Sequence, residues 1–252
     1  MGRTETVDGW LLRHHDFKET DRVVVLLTRE QGLLRAVAKG VKKPKSRLAG
    51  RLTPFCENRI LLAYGRGMPV ISQLDTVQRH QKILEDFDRL AAALAANELL
   101  LVLLAEQDVV TEICDRYDTF LQGLPKAKLP EALLIAFELL LLDSLGYRPE
   151  LEQCQGCGAV LTEATIRGIS EQWGGLGCKR CIPPGKLLRL TSGEWNLLLR
   201  FQEFGLPMGL EWDDATPLPQ LRQALRILMT GHAERELRAE RMFDWGRSPE
   251  RP

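Results

Sequence analysis

The rhythm of hydrophobic and polar positions changes near residue 80. Before it, apolar residues come in short runs separated by turn residues. Val23-Val24-Val25-Leu26-Leu27-Thr28 is a β-branched run closed by Gln31-Gly32. Leu33 to Ala38 follows, with Leu34, Ala36 and Ala38 on one side and Arg35 and Val37 on the other. Arg59 to Tyr64 is a further run, ended by Gly65-Arg66-Gly67, and Val70 to Val77 is the last. Four or five short strands in about 80 residues predict a small closed barrel, because closure removes exposed edges, and an OB-type barrel fits that length. Gly40 and Pro44 interrupt any regular pattern, which makes Gly40 to Gly50 a loop.

After Ile83 the spacing becomes helical. Leu84, Phe87, Leu90, Ala91 and Leu94 recur at intervals of three to four, and Leu99 to Ala105 continues the pattern. Glu131 to Leu145 is apolar almost all round, as expected of a helix central to a bundle, with Gly146 as its C-cap and Pro149 barring continuation. Thr191 to Phe204 and Leu218 to about Phe243 also read as helices, and Ser248 to Pro252 as a frayed end. The predicted class is a multidomain α+β protein. An OB-fold barrel occupies residues 1–80 and a helical domain residues 81–252, with a module inserted at 150–185.

Charge sharpens this division. The 252-residue chain carries 34 Lys/Arg and 34 Asp/Glu, but residues 1–80 hold 15 basic and 8 acidic side chains, an excess of seven positive charges. Arg35, Lys39, Lys42, Lys43, Lys45, Arg47 and Arg51 follow one another without a single acid between them. Such a loop on a small barrel suits a phosphate backbone, although seven charges could also serve only to keep a surface loop solvated. The aromatics nearby are Trp10, Phe17, Phe55 and Tyr64, several of them candidates for the core, so base stacking is expected to be limited. The expected mode is electrostatic and tolerant of sequence.

Four of the six cysteines form Cys154-x2-Cys157 and Cys178-x2-Cys181, twenty residues apart. Paired CxxC turns at this separation are a zinc signature, and four sulfur ligands leave no open coordination position, which makes the predicted Zn2+ structural. The competing readings are two disulfides or a redox pair, both disfavoured in a reducing compartment with two such turns. Gly158 is expected to let backbone amides approach the sulfurs, and Trp173-Gly174-Gly175-Leu176-Gly177 to form a hairpin into the second pair. Cys56 and Cys114 sit among apolar residues and read as buried small hydrophobes.

Signs of catalysis are missing. The sequence has no G-x4-G-K-[ST] loop, no complete dinucleotide fingerprint, no HExxH and no G-x-S-x-G. His14 and His15 could touch phosphate but read better as exposed at a strand end, and Asp86/Asp88 and Asp213/Asp214 read as solvated faces or caps. No enzyme is expected. Residues 1–5 lack the apolar core of a signal peptide, and Leu90 to Ala105, interrupted by Asn97 and Glu98, falls short of the ~20 residues that span a bilayer. A cytoplasmic protein without a membrane partner is the expectation.

Several motifs in order resemble the RecO family of bacterial DNA repair and recombination mediators. They are Glu19-Thr20-Asp21 before the first strand run, Ala38-Lys39-Gly40-Val41-Lys42-Lys43-Pro44-Lys45-Ser46-Arg47 with Pro54-Phe55, and Phe137-Glu138-Leu139-Leu140. Leu145-Gly146-Tyr147-Arg148-Pro149, Cys154-x2-Cys157-Gly158 and Gly174-Gly175-Leu176 before Cys178-x2-Cys181 complete the set. The resemblance implies an N-terminal OB-fold, a helical domain with a zinc module and a nucleoid-associated life in the bacterial cytoplasm. It implies binding of single- and double-stranded DNA, annealing of complementary strands, and help in loading recombinase onto DNA coated by single-stranded-DNA-binding protein. RecR and the tail of that coating protein are the implied partners, with recombinase engaged indirectly. A hydrophobic groove rimmed by Arg222, Arg226 and Arg235 is the candidate for receiving the tail, although these arginines equally suit a merely solvated helix face. The residues alone also admit an RNA-binding factor of transcription or translation, or an uncharacterised hydrolase. Annealing of protein-coated DNA separates these readings.

Overall fold

The computed structural model describes residues 3–106, 111–170, 172–182 and 187–230. Five strands close a barrel: β1 (Thr4–Phe17), β2 (Asp21–Thr28), β3 (Gly32–Ala38), β4 (Cys56–Ala63) and β5 (Val70–Arg79). Their order is β1-β2-β3-β5-β4, closed by β4 on β1. All pairings are antiparallel except β3 with β5, which meet in parallel at Val37 and Val70. This is the OB-like Greek-key barrel expected. The long β1 serves two neighbours, pairing with β4 from Thr4 to Trp10 and with β2 from Gly9 to Phe17, and it bulges between Leu11 and Arg13.

Inward positions alternate as the pleat requires. Val7, Leu11, Val24, Leu26, Leu34, Ala36, Ala38, Ile60, Leu62, Ile71 and Leu74 fill the barrel. Val41 and Leu52 join them from the connection between β3 and β4, and Leu48 packs against the same core. That connection is therefore anchored by apolar residues at both ends, although it has only turns between them.

Helices α1 (Phe87–Leu103) and α2 (Thr111–Gly123) follow a short 3-10 turn at Gln81–Ile83. Asp86 caps α1 by accepting from the Arg89 N–H at 2.9 Å. Both helices are tied to the barrel. Asn97 donates to the Leu12 carbonyl at 3.0 Å and accepts from the Tyr117 hydroxyl, and the Tyr117 ring meets Trp10 edge-on at 5.7 Å. The first compact unit accordingly runs from Met1 to Gln122, past the change from strand to helix at residue 80.

The second unit is Gly123–Pro252. Its centre is α3 (Pro130–Ser144), buried from Glu131 to Leu139 and again at Leu141 and Leu142. Pro130 suits the first turn, where its missing N–H costs nothing. At the far end Gly146 takes φ +77°, and the Gly146 and Tyr147 amides return to Asp143 and Leu142 at 3.0 and 2.8 Å. This is a Schellman stop, so the C-cap expected from the sequence is present. After the inserted sheet of β6 (Ile166–Ser170), β7 (Gly175–Cys178) and β8 (Leu187–Arg189) come α4 (Ser192–Glu211) and α5 (Leu218–Thr230). Thr191 and Glu194 form a capping box at the start of α4, and Gly205 kinks the helix with φ 56°. The expected extension of the last helix beyond Thr230 lies outside the described residues, as does Arg235.

Candidate nucleic-acid interface and metal centre

The cationic stretch from Lys39 to Arg51 has no helix or strand, as its glycines and proline foretold. It is nevertheless pinned at several points. The Gly40 N–H donates to Asp21 Oδ1 at 2.7 Å, and the Lys42 N–H donates to the Thr20 carbonyl at 3.0 Å. Turn bonds run from Lys43 to Gly40 and from Ser46 to Lys43. With Val41 and Leu52 in the barrel core, the loop is fixed beside the β1–β2 turn.

The seven predicted cations fall into two groups. Arg35 lies on β3 and pairs with Glu106 at 2.6 Å. Lys42 reaches Asp16 at 2.8 Å, and Arg51 reaches Asp75 at 2.8 Å and the Leu74 carbonyl at 2.7 Å. Lys39, Lys43, Lys45 and Arg47 are exposed and form no ion pair among the described residues. The second group is free to meet a ligand's charge, whereas the first must exchange a carboxylate for it.

Sequence reasoning missed the acids that hold this loop. Asp16 and Asp21 flank the β1–β2 turn, and both carboxyls sit below the usual carboxylate range. For Asp16 the main cause is the hydrogen bond from Lys42, followed by that from Arg22; for Asp21 it is the Gly40 amide. Glu19-Thr20-Asp21 was the available signal, but without β1 it had no structural meaning. His14 and His15 are exposed near the end of β1, as expected. Partial burial, helped by Arg22, holds His14 below the ordinary imidazole value. Of the aromatics, Trp10 and Phe55 are core residues, Tyr64 packs on the core and donates to Gln31, and Phe17 is exposed.

The four cysteines converge. The Sγ atoms of Cys154, Cys157, Cys178 and Cys181 all lie within 4.8 Å of one another, with Cys157 and Cys178 4.0 Å apart. Thiolates about 2.3 Å from a shared tetrahedral ion would be about 3.8 Å apart, so the set can hold a metal. Neither pair forms a disulfide, and Cys56 and Cys114 are buried free thiols. Each CxxC is a tight turn. The Cys157 and Gly158 amides return to the Cys154 carbonyl at 3.3 and 2.7 Å, and those of Cys181 and Ile182 to the Cys178 carbonyl at 3.1 Å. The β6–β7 hairpin, turning at Trp173-Gly174, delivers Cys178 so that its N–H donates to Cys154 Sγ at 3.3 Å.

Gly158 has a different reason from the one expected. Its φ is +71° and nothing lies within 4 Å of where a Cβ would be, so conformation rather than space selects glycine there. Burial opposes ionisation of Cys178, but the Arg180 and Cys181 amides outweigh it and bring the thiol down to about 6. Cys181 is pushed up to about 12 by its hydrogen bonds with Cys157 and Cys178. Sulfurs this crowded share their remaining protons, which a cation would displace. The Arg180 guanidinium donates to Cys178 and lies beside Cys157, offsetting negative charge.

The second compact unit corrects one sequence expectation. Arg222 does not rim a groove, because it is 6% exposed and paired with Glu138 of α3. The described helices include none long and apolar enough to cross a membrane.

An OB-like barrel bearing a pinned cationic loop, followed by helices with a four-cysteine module, defines a class of two-part α+β protein. Known sequences show its family. The family model for the recombination protein O N-terminal part matches residues 1–80, and that for its C-terminal part matches residues 84–241. The chain is 34% identical over 251 residues to the DNA repair protein RecO of Symbiobacterium thermophilum, covering 96% of this chain and 97% of the relative. It is 38% identical over 199 residues to the DNA repair protein RecO of a Roseiflexus species, covering 79% and 69%. The same-named protein of Anaeromyxobacter dehalogenans is 33% identical over 241 residues, 94% of each chain. The chain belongs to the RecO family.

Proposed function

We propose that this protein is a DNA repair and homologous-recombination mediator that works without catalysing a reaction. It binds single- and double-stranded DNA, anneals complementary strands and assists recombinase loading onto coated single strands. Membership of the family supports repair, since the relatives carry that name. The observation that carries DNA binding is the loop, where Lys39, Lys43, Lys45 and Arg47 stand exposed on a support fixed at both ends. Cations on a pinned loop hold phosphates while leaving bases free to pair, which is what annealing needs. RecR and the tail of single-stranded-DNA-binding protein are the proposed partners, and the bacterial cytoplasm the proposed place of work.

The proposed metal is a single structural Zn2+ on Cys154, Cys157, Cys178 and Cys181. Four thiolates close the shell, so the ion would hold the turns together and supply no chemistry to a substrate. Elemental analysis of protein purified without chelator should return one zinc per chain.

A salt titration tests the DNA reading. Lys43→Ala with Lys45→Ala and Arg47→Ala should weaken binding to unrelated single strands by similar factors. The slope of log K against log salt should flatten by about two, at about 0.7 per phosphate released. Annealing should fall in step, with helicity and zinc unchanged. A triple variant that binds and anneals like the wild type would show a merely solvated loop. Pull-down with RecR and the coating protein, with and without DNA, tests the partners.

A further inference from the structure

The tip of the β1–β2 hairpin carries a side chain that neither the barrel core nor the loop charges explain. Residues 13–19 are all exposed, so β1 projects past the barrel after Leu12 with solvent on both faces. Every residue from Arg13 to Thr20 is polar or charged except Phe17, which is 36% exposed. The hairpin is not frayed there, because Phe17 pairs with Asp21 and Asp16 with Arg22. Lys18 turns back with φ 54° and sets its Nζ 5.3 Å from the Phe17 ring centroid. The residue before the ring, Asp16, grips Lys42, and Thr20 in the turn accepts the Lys42 amide. The ring therefore stands on the same rigid tip that anchors the cationic loop.

We propose that Phe17 is a stacking platform for an unpaired nucleobase, making this end of the barrel selective for single-stranded over duplex DNA. The inference rests on the loop being the DNA path. A single strand tracked by Lys39, Lys43, Lys45 and Arg47 presents its phosphates to the loop and its base faces to whatever flat apolar surface lies beside it. Phe17 is that surface: the Lys18 ammonium lies over one face of the ring, so the base stacks on the other, and the charge suits the neighbouring phosphate. In a duplex the base faces are already stacked on one another, so the ring has nothing to accept. The loop binds both forms, and the ring tells them apart.

The two contributions separate by salt and by chemistry. Full-length wild type, Phe17→Ala and Phe17→Tyr are titrated with an oligothymidylate, an abasic strand of the same length and a duplex, each at several salt concentrations. Phe17→Ala should bind the oligothymidylate roughly fivefold or more weaker, in the range of one lost base stack. Its salt slope should match the wild type, because no phosphate contact is lost. Affinity for the abasic strand and the duplex should not change, and Phe17→Tyr should keep the wild-type preference. Unchanged oligothymidylate binding by Phe17→Ala, or an equal loss on all three ligands, overturns the proposal; the second result would mean that the ring only shapes the hairpin or meets the sugar-phosphate chain. The triple loop variant, run alongside, separates the failures. If it weakens while Phe17→Ala does not, only the stacking role falls. If it binds normally, the loop is not the path, whatever Phe17 does.

Discussion

Asp16 and Asp21 show how an acid can serve a cationic surface. Asp16 holds Lys42 and Arg22, Asp21 holds the Gly40 amide and the Thr20 hydroxyl, and the outer cations are left unneutralised. Because hydrogen bonding lowers both carboxyls below the ordinary 3.8, their anchoring is complete above that value and is lost as pH falls through the lower folded value. Exchange of the Gly40 amide should therefore stay slow from neutral pH down to about 4 and lose protection below it, relative to barrel amides. Asp21→Ala should lose that protection at every pH. The cysteines obey a harsher rule, since a four-ligand shell has no spare member. Cys178→Ser should release the metal, seen by elemental analysis, whereas Cys114→Ser should retain it. Cys114 is a buried thiol whose pKa burial pushes up to about 12, and it lies outside the cluster.

At the scale of elements, α3 is the test of what a pattern reveals. Its apolar circumference announced a central helix, but the structure also buries Glu138 within it, and a buried carboxylate needs a cation. Arg222 of α5 supplies it, and both side chains are almost fully buried. An arginine taken as part of a solvated rim was thus the partner of an acid 84 residues away, a pairing that helical periodicity cannot reveal. Arg222→Ala should cost about 3–5 kcal/mol in denaturant unfolding of this unit, whereas Arg222→Met with Glu138→Met should recover most of it. Gly146→Ala should cost about 1 kcal/mol, because φ +77° is strained for any side chain. The strands β2 to β5 were legible because each contains a short apolar run bounded by turn residues. β1 was not, because a bulge after Leu11 shifts its phase and its last five residues have no buried face. The hairpin tip, with Phe17 and both anchoring acids, was hidden for that reason, and the family motif at Glu19 marked the place without explaining it.

For the whole molecule, a net charge of zero conceals a division of labour that the cysteine spacing had already suggested. The excess of seven positive charges lies in the barrel segment, while all four clustered cysteines and the sheet β7-β6-β8 lie in the second compact unit. Each unit has its own core, the barrel around Leu26 and Ile60 and the helices around α3. Metal binding of the four-thiolate kind is coupled to folding by ~10–16 kcal/mol in small zinc peptides, more than the inserted module could supply from its short strands. Chelation of the full-length protein should therefore strip protection from amides of residues 150–189 and leave β1 to β5 protected in hydrogen exchange. Trp195 donates to the Leu151 carbonyl at 2.8 Å and Gln202 to that of Pro149 at 2.9 Å, so the N-terminal half of α4 should loosen with the module. Single-strand affinity and its salt slope should survive chelation, because the cations proposed to set them stand on the barrel. If chelation flattened the slope as the loop variant should, phosphates would have to be held by the four-cysteine module as well, through Lys179 and Arg180 between Cys178 and Cys181.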